Sequence, residues 1–525
     1  MFLQNQIPPG DQRKETVYKN FDSNLRDIVR LGLASGAKVV LNTMAVNLKD
    51  CPPLASLSNS NLPAADRAQF ENLYSKSVAL EKEGRFADAT RIFEEAARID
   101  PHSAELQFRW ANSLLHLTNA AARDHFQLAC DDDALPFRAD SRINALIRKL
   151  ASELASRGLV LCDAENAMQD RSTAKIPGAE SFFEHVHFRF GGNYVLGQLW
   201  AEQVRKLIPE TPTSGEVQWA SQQTCERQLG LSIWNRVLVL ESVMSRMHQP
   251  PLSRQFNNGT RLEVIQSEAQ KLRQREAEPG AAEKVRKEFE AAMQRSPDDT
   301  CLLESYANFL ESIHEPKQAI AMYRKIAERL PQDFYSSLQA GRLLGEQGDL
   351  TEAESFLARA TPMRPSLPEG WYELGNVRAA QGRFADSLQC YERAIRLRPR
   401  DATYVCYKGK VLAKLNRGTE AIRSYREAIQ LRPDYWEAHF ELAGELAKQN
   451  QIQDAIAQYV EVTRLNPGHP LTRVNLGTIF IGLDRLDEAI AQFEIALQID
   501  PANKFVQDSL EKVRERNRQH RSNEK

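Results

Sequence analysis

The sequence has 525 residues, too many for one hydrophobic core, and this length predicts three or four domains. Charged residues make up 26% and the net charge is −2, so nothing indicates a nucleic-acid partner or attraction to an anionic membrane. No apolar run approaches the ~18 residues of a membrane span, and the first residues lack the pattern of a secretory signal.

The seven cysteines are scattered and form no C-x-x-C pair. This pattern argues against a disulfide framework or a zinc site and fits a reducing compartment. We therefore expect no metal and no cofactor, and by default a cytoplasmic location.

The N-terminal part has the pattern of an α/β domain. Leu25, Ile28, Val29 and Leu33 share one face of a predicted amphipathic helix. The run AKVVLNTMAVN follows and predicts a buried strand of parallel type, and GLVLCDA at 158–164 predicts a second one. Helices combined with such strands indicate an α/β fold.

Two helical repeats are predicted between these strands, over residues 70–137. The first is ENLYSKSVALEKEGRFADATRIFEEAARIDP, with a pattern that returns in the C-terminal half. The second is less regular and ends near Pro136. A segment of about 70 residues that interrupts an α/β domain is two repeats long at the period described below.

The segment IPGAESFFEHVHFRFGGNYVLGQLWAEQV carries the candidate chemistry. Glu184 and His187 are three residues apart in a predicted loop, a spacing that can place a carboxylate against an imidazole and prepare it as a general base. His185 and His187 alternate as a metal pair would, but no third ligand is suitably spaced, so we expect no metal here.

Together with VVLNTMAVNLKDCPPLAS and LVLCDAENAM, this segment resembles the later part of an SGNH (GDSL-type) hydrolase domain, over residues 15–60 and 138–210. The family's last motif is D-x-x-H, and the resemblance implies a flavodoxin-like fold with His187 as catalytic base and Glu184 as its acid partner. Here Glu stands where the family has Asp.

The family's Gly-Asp-Ser nucleophile motif and its oxyanion-hole residues lie upstream of the segment matched from Asn20 onward, where this sequence has no counterpart. The resemblance thus implies a truncated or degenerate domain, inactive as given. It implies an esterase or acyl-transfer enzyme for any longer product that restores the nucleophile.

The C-terminal half repeats itself every 34 residues. Prolines recur at this interval from Pro297 to Pro501, and an apolar ring or leucine precedes each by eight residues. A small residue recurs in the first helix of each copy, as in Gly375 and Gly409. The clearest copy, WYELGNVRAAQGRFADSLQCYERAIRLRP, resembles the tetratricopeptide repeat, which implies helix hairpins stacked into a solenoid.

The predicted organisation is mainly α. It comprises a split α/β domain at 1–69 and 138–210, inserted repeats at 70–137, a helical connector at 211–265, an array of six to seven repeats at 266–503, and a capping helix with a tail at 504–525. The first helix of each repeat is expected to line an inner face that binds a protein or peptide. The candidate binding residues are Tyr335, Arg342, Tyr372, Asn376, Lys410, Phe440 and Lys448.

Two classes of function follow from this organisation. One is a protein-interaction scaffold, and the other is the ester hydrolase that the N-terminal resemblance implies. The chaperone-type tetratricopeptide domains bind a C-terminal carboxylate with a Lys/Asn/Asn/Lys/Arg set. Asn376 matches one member of that set, but Tyr372 stands where lysine is expected, so this specificity is not predicted.

Overall fold

The computed structural model describes residues 4–59, 62–155, 158–208 and 218–523. The chain forms two compact units, Met1–Pro297 (unit 1) and Asp298–Lys525 (unit 2), where length alone predicted three or four domains. Both units are built mainly of helices, as predicted. The predicted boundary between residues 210 and 211 lies outside the described residues.

In its described residues, unit 1 combines helices with two short strands. Its elements are α1 Gln12–Ala34, β1 Val39–Asn42, α2 Ala64–Lys82, α3 Phe86–Ile99, α4 Ala104–His116, α5 Ala122–Asp131, α6 Ser141–Glu153, β2 Leu159–Cys162, α7 Ala164–Arg171, α8 Phe190–Leu207, α9 Gln222–Gln228, α10 Ile233–Met247, α11 Asn258–Glu276 and α12 Ala281–Arg295.

The two predicted strands are present and pair in parallel, with Val39 opposite Leu159. Alternate side chains leave the two faces of the pair, as strand geometry requires. Leu41 and Leu159 pack against α1 and α6, whereas Val40 and Cys162 pack against α8. Apolar side chains on both faces explain why these runs are almost continuously hydrophobic.

Two helix hairpins, α2 with α3 and α4 with α5, lie between the strands in the chain. In the second hairpin, Phe108 and Phe126 share a core with Val46 and Leu48 from the loop after β1. The second hairpin thus buries its apolar face against this loop, whereas the first packs against α4 through Phe93 and Leu106. Both hairpins lie within unit 1.

A buried ion pair holds the loop that follows β1. The side chains of Arg138 and Asp133 are each 1% exposed and lie 3.2 Å apart. Arg138 Nη1 donates to the carbonyl oxygens of Asn47 at 2.9 Å and Cys51 at 2.8 Å. Asp133 accepts the backbone N–H of Leu54 at 2.8 Å. The loop is therefore fixed by polar groups that have partners inside the core.

The helices before the regular array pair differently from the hairpins within it. Residues 266–276, predicted to begin the least regular copy, belong to α11, which packs against α10 through Leu240 and Ile265. Phe289 of α12 occupies the ring position of that copy and contacts Trp234 of α10 edge to face. Apolar residues on α10 thus take the place of a first repeat helix.

Unit 2 consists of six helix hairpins and a final helix. In chain order these are α13 Thr300–Ser312, α14 Pro316–Arg329, α15 Phe334–Gln347, α16 Leu350–Met363, α17 Pro368–Ala380, α18 Phe384–Leu397, α19 Ala402–Lys414, α20 Gly418–Leu431, α21 Trp436–Lys448, α22 Ile452–Leu465, α23 Pro470–Gly482, α24 Leu486–Ile499 and α25 Lys504–Asn523.

Each hairpin closes where a small residue of its first helix meets a large side chain of its second. A Cβ added at Gly375 would lie 2.8 Å from the Tyr391 ring, and one at Gly409 would lie 2.7 Å from the Tyr425 ring. These separations are shorter than van der Waals contact, so only glycine permits such close approach of the helices.

The last helix, α25, covers the end of the array. Val506, Leu510 and Val513 are buried in one cluster with Phe493 of α24, whereas Phe505 is exposed. The helix predicted at 504–517 is therefore present and longer than expected. Among the described residues, no helix has the length and apolar character needed to cross a membrane.

The glycine contacts lead to a stability prediction. Replacing Gly409 with Ala places a methyl group against Tyr425, and over-packing of this kind costs about 1–3 kcal/mol of unfolding free energy. Gly444→Ala is the matched control, because its added Cβ would lie 3.5 Å from Tyr459 Oη, an ordinary contact. The control should match or exceed wild-type stability, since Ala favours a helix by about 1 kcal/mol over Gly. Urea unfolding followed by circular dichroism measures both, and equal effects would contradict the prediction.

The buried ion pair leads to a second prediction. Arg138→Met leaves the Asp133 carboxylate buried and unpaired, and breaking such a pair costs about 3–5 kcal/mol. Arg98→Ala is the control, because its pair with Glu94 is exposed on α3 and contributes under about 1 kcal/mol. Hydrogen exchange should show the backbone amides of residues 47–55 losing protection in Arg138→Met alone. Unchanged protection in that variant would rule out this role for the pair.

Candidate functional site

The first helices of successive hairpins in unit 2 lie beside one another and form a shared face, here called the inner face. Arg342 of α15 pairs with Glu311 of α13. Further along, Lys410 of α19 pairs with Glu441 of α21 at 3.2 Å. Both bridges join residues that are 31 positions apart in the sequence, so first helices of neighbouring hairpins come together on one surface.

Three aromatic residues predicted to bind a partner lie on this inner face. Tyr335 is 37% exposed, and its hydroxyl donates to Asn308 Oδ1 at 3.2 Å. Phe440 is partly buried and contacts the rings of Tyr459 and His469. Each offers part of an apolar ring to solvent while the rest packs against its own array, as expected of a rigid contact residue.

Tyr372 is the centre of a cluster of four tyrosines. Its ring centroid lies 6.0 Å from that of Tyr391, 5.0 Å from Tyr404 and 5.4 Å from Tyr407. Burial raises the pKa of Tyr372. Tyr404 and Tyr407 were not among the predicted binding residues. The residue one repeat after Tyr372 is Cys406, and the two tyrosines lie on either side of it, so the 34-residue period gave no signal for them.

The predicted basic residues of the inner face all have acidic partners within the array. Arg342 is held by Glu311 and Glu346, and Lys448 lies 3.1 Å from Glu445. Burial disfavours the charge on Lys410, but Glu441 outweighs that effect and raises the pKa of Lys410. A ligand would therefore meet fixed ion pairs at these positions.

Asn376 also has both ends of its amide engaged. Its Oδ1 accepts the Tyr391 hydroxyl at 2.7 Å, and its Nδ2 donates to Glu373 at 3.0 Å. The amide thus stabilises the hairpin of α17 and α18. The seven predicted residues lie on four consecutive first helices, α15, α17, α19 and α21. The aromatic residues among them make fewer polar contacts within the array than the charged residues and Asn376.

The equivalent face of the inserted hairpins in unit 1 already contacts another part of the chain. Phe108 lies three residues before Ala111, just as Tyr372 lies three before Gly375. The ring of Phe256 contacts Phe108 edge to face, with centroids 5.9 Å apart, and the Arg109 guanidinium lies 3.7 Å from the Phe256 centroid. The aromatic position of a first helix thus receives a phenylalanine from a non-repeat segment.

The second candidate site is the loop before α8, where Glu184 and His187 meet as predicted. His187 Nδ1 contacts a carboxylate oxygen of Glu184, whose side chain is fully buried, while the His187 side chain is 49% exposed. Asn47 fixes the loop by donating to the Glu184 carbonyl at 2.7 Å and to the His185 carbonyl at 3.0 Å through its backbone N–H.

Glu184 is surrounded by donors. Burial alone would raise the pKa of Glu184, but the His185 imidazole, the Val186 N–H and the His187 imidazole outweigh burial and lower that pKa to about 2. The carboxylate is therefore ionised at neutral pH and orients the His187 ring. The sequence pattern connected Glu184 with His187 alone, whereas His185 Nδ1 lies 2.5 Å from the other carboxylate oxygen.

The family matches cover the repeat array and do not cover the loop of Glu184 and His187. Residues 250–475 match the family described as the cilia and flagella-associated protein 70 C-terminal domain, and residues 472–503 match the tetratricopeptide repeat family. No curated protein matches the chain.

Among solved structures, YrrB, described as a TPR protein with an unusual peptide-binding site, is 23% identical to this chain. The match covers 36% of this chain and 96% of YrrB, with a TM-score of 0.31. A tetratricopeptide repeat protein from Parabacteroides merdae is 14% identical, with 45% and 93% covered and a TM-score of 0.38. A thermophilic TPR protein from Thermus thermophilus is 20% identical, with 35% and 99% covered and a TM-score of 0.30.

The 34-residue period, the six hairpins closed by a small residue against a large one, and the two family matches lead to one conclusion. The chain contains an array of tetratricopeptide repeats.

Proposed function

We propose that this protein is an interaction scaffold whose inner face in unit 2 binds a peptide or protein through aromatic side chains. The observation that carries the proposal is the contact of Phe256 with Phe108 in unit 1. Phe108 has the same repeat position as Tyr372 and Phe440. The chain therefore uses this position once to hold an aromatic side chain from a segment outside the repeats.

The polar groups of the inner face support a division of roles. Arg342 and Lys410 are already neutralised by glutamates, so a partner gains little from forming new ion pairs with them. Aromatic rings that are partly exposed and held by packing lose little entropy when they bind. Affinity is therefore assigned to Tyr335, Tyr372 and Phe440, and the ion pairs limit which charged partners fit.

A second role is proposed for unit 1 as a degenerate domain of SGNH type. The parallel strand pair, its helical cover and the contact between His187 and Glu184 support this proposal. Among the described residues, the hydrogen bonds of the His187 side chain go to Glu184 alone, so no hydroxyl nucleophile is activated by this imidazole. The alternative function, ester hydrolysis or acyl transfer, requires such a nucleophile.

The scaffold proposal is tested with peptides selected from a phage-displayed library on the full chain. Peptides with aromatic residues should be enriched, and Tyr335→Ala and Phe440→Ala should each raise the dissociation constant of a selected peptide at least about ten-fold, as at an interface hot spot. Calorimetry measures the constants. Val460→Ala is the control, because Val460 is an exposed apolar residue on the second helix α22. If Val460→Ala lowers peptide affinity as much as the aromatic variants do, or if the aromatic variants keep wild-type affinity, the inner-face assignment is rejected.

The proposal of a degenerate domain predicts that unit 1 has no esterase activity. After removal of metal with a chelator, the 525-residue chain should hydrolyse p-nitrophenyl acetate no faster than buffer with an inert protein. His187→Ala should behave identically, because the His187 imidazole activates no hydroxyl nucleophile. Time-resolved release of p-nitrophenol measures both. Hydrolysis that depends on His187 would overturn the proposal of a degenerate domain and favour the esterase.

A further inference from the structure

Three side chains with metal-binding atoms converge in the loop before α8. A carboxylate oxygen of Glu184 and one imidazole nitrogen each of His185 and His187 all lie within 4.8 Å of one another. The sequence predicted no metal because His185 and His187 lacked a third ligand. Glu184 fills that place, since its two oxygens face the two imidazoles separately.

One of these nitrogens, His185 Nδ1, is buried without a hydrogen-bond partner. His185 Nδ1 lies 2.5 Å from Glu184 Oε2, yet it is buried and has no hydrogen bond of acceptable geometry. A buried polar atom without a partner typically costs about 1–3 kcal/mol. A cation bound by both this nitrogen and the carboxylate would give the nitrogen a partner and remove that cost, after the two atoms move slightly apart.

We propose that Glu184, His185 and His187 bind a divalent transition-metal ion of the zinc class. Two imidazoles and one carboxylate are a nitrogen and oxygen donor set that suits zinc, whereas calcium and magnesium select oxygen donors alone. With neutral imidazoles and an ionised carboxylate, the three ligands carry a net charge of −1, and binding of a divalent cation changes the net charge of the site to +1.

The loop presents these ligands in a fixed geometry. The backbone N–H of Phe183 donates to the His187 carbonyl at 2.8 Å, and Phe182 and Phe188 form a β-bridge beside it. Val186 N–H donates to Glu184 Oε2 at 3.1 Å, which holds the carboxylate in place. Hydrogen bonds that orient the ligands in this way raise the affinity of a metal site.

The site is open on one side. Glu184 is buried at its base, whereas half of the His187 side chain faces solvent. Three protein ligands with access to water match the open zinc sites that keep a position for water or another ligand, and differ from closed structural sites with four protein ligands. The proposal is independent of peptide binding by unit 2.

The experiment uses the full chain after removal of metal with a chelator, and titrates it with zinc chloride in a calorimeter. One ion should bind per chain, and His185→Ala and His187→Ala should each weaken binding at least ten-fold. His248→Ala is the control, because His248 is exposed and its ring bonds to the Met244 carbonyl. This control should bind zinc like wild type.

Cobalt substitution gives a second readout that does not depend on heat of binding. Cobalt bound by nitrogen and oxygen ligands should produce visible absorption bands in the wild-type chain, and His187→Ala should lose them while its far-ultraviolet circular dichroism is unchanged. His187 is partly exposed, so its replacement is expected to leave the fold intact. No zinc binding by the folded wild-type chain, or binding that His185→Ala and His187→Ala leave unchanged, would overturn the proposal.

Discussion

A large side chain resting on a glycine or alanine, where the two helices of a hairpin cross, is the contact on which the repeat array depends. Gly375 and Gly409 let the rings of Tyr391 and Tyr425 approach closer than any Cβ permits. Aromatic rings bury a large area each, and here they also join hairpin to hairpin, because Tyr391 lies in one cluster with residues of the next hairpin. Since one hairpin cannot bury its apolar face alone, every hairpin relies on this contact in its neighbours.

The repeats could be predicted because their determinants are local. A small residue, an aromatic residue and a proline at fixed intervals specify a hairpin within 34 residues, and repetition multiplies the signal. The pairing of α11 with α10 could not be predicted in this way, since it depends on which apolar surface is nearer in space. Tyr404 was missed for the same reason, because its place in the candidate binding surface depends on packing against Tyr372 of another repeat.

In the candidate site of unit 1, local sequence patterns predict the contact between neighbouring residues but not the contacts with distant ones. The i, i+3 spacing was sufficient to predict the meeting of Glu184 and His187. Asn47, which holds that loop, lies 137 residues earlier in the chain, and Arg138 reaches the same asparagine from a third segment. Each of these polar contacts occurs at one place in the fold and does not recur along the sequence. A single sequence therefore offers no periodic pattern by which to find them.

The glycine contact also constrains how such an array can change its length over evolution. Because the two partners of each contact lie within one period, duplication or loss of a whole 34-residue unit leaves every remaining small residue facing its large partner. Insertion of a single residue inside a hairpin would instead turn the second helix by about 100°, since a helix has 3.6 residues per turn, and would carry the ring away from its glycine. Length is therefore expected to vary among descendants in whole repeats, and the turns between hairpins should tolerate unequal crossover better than the helices themselves.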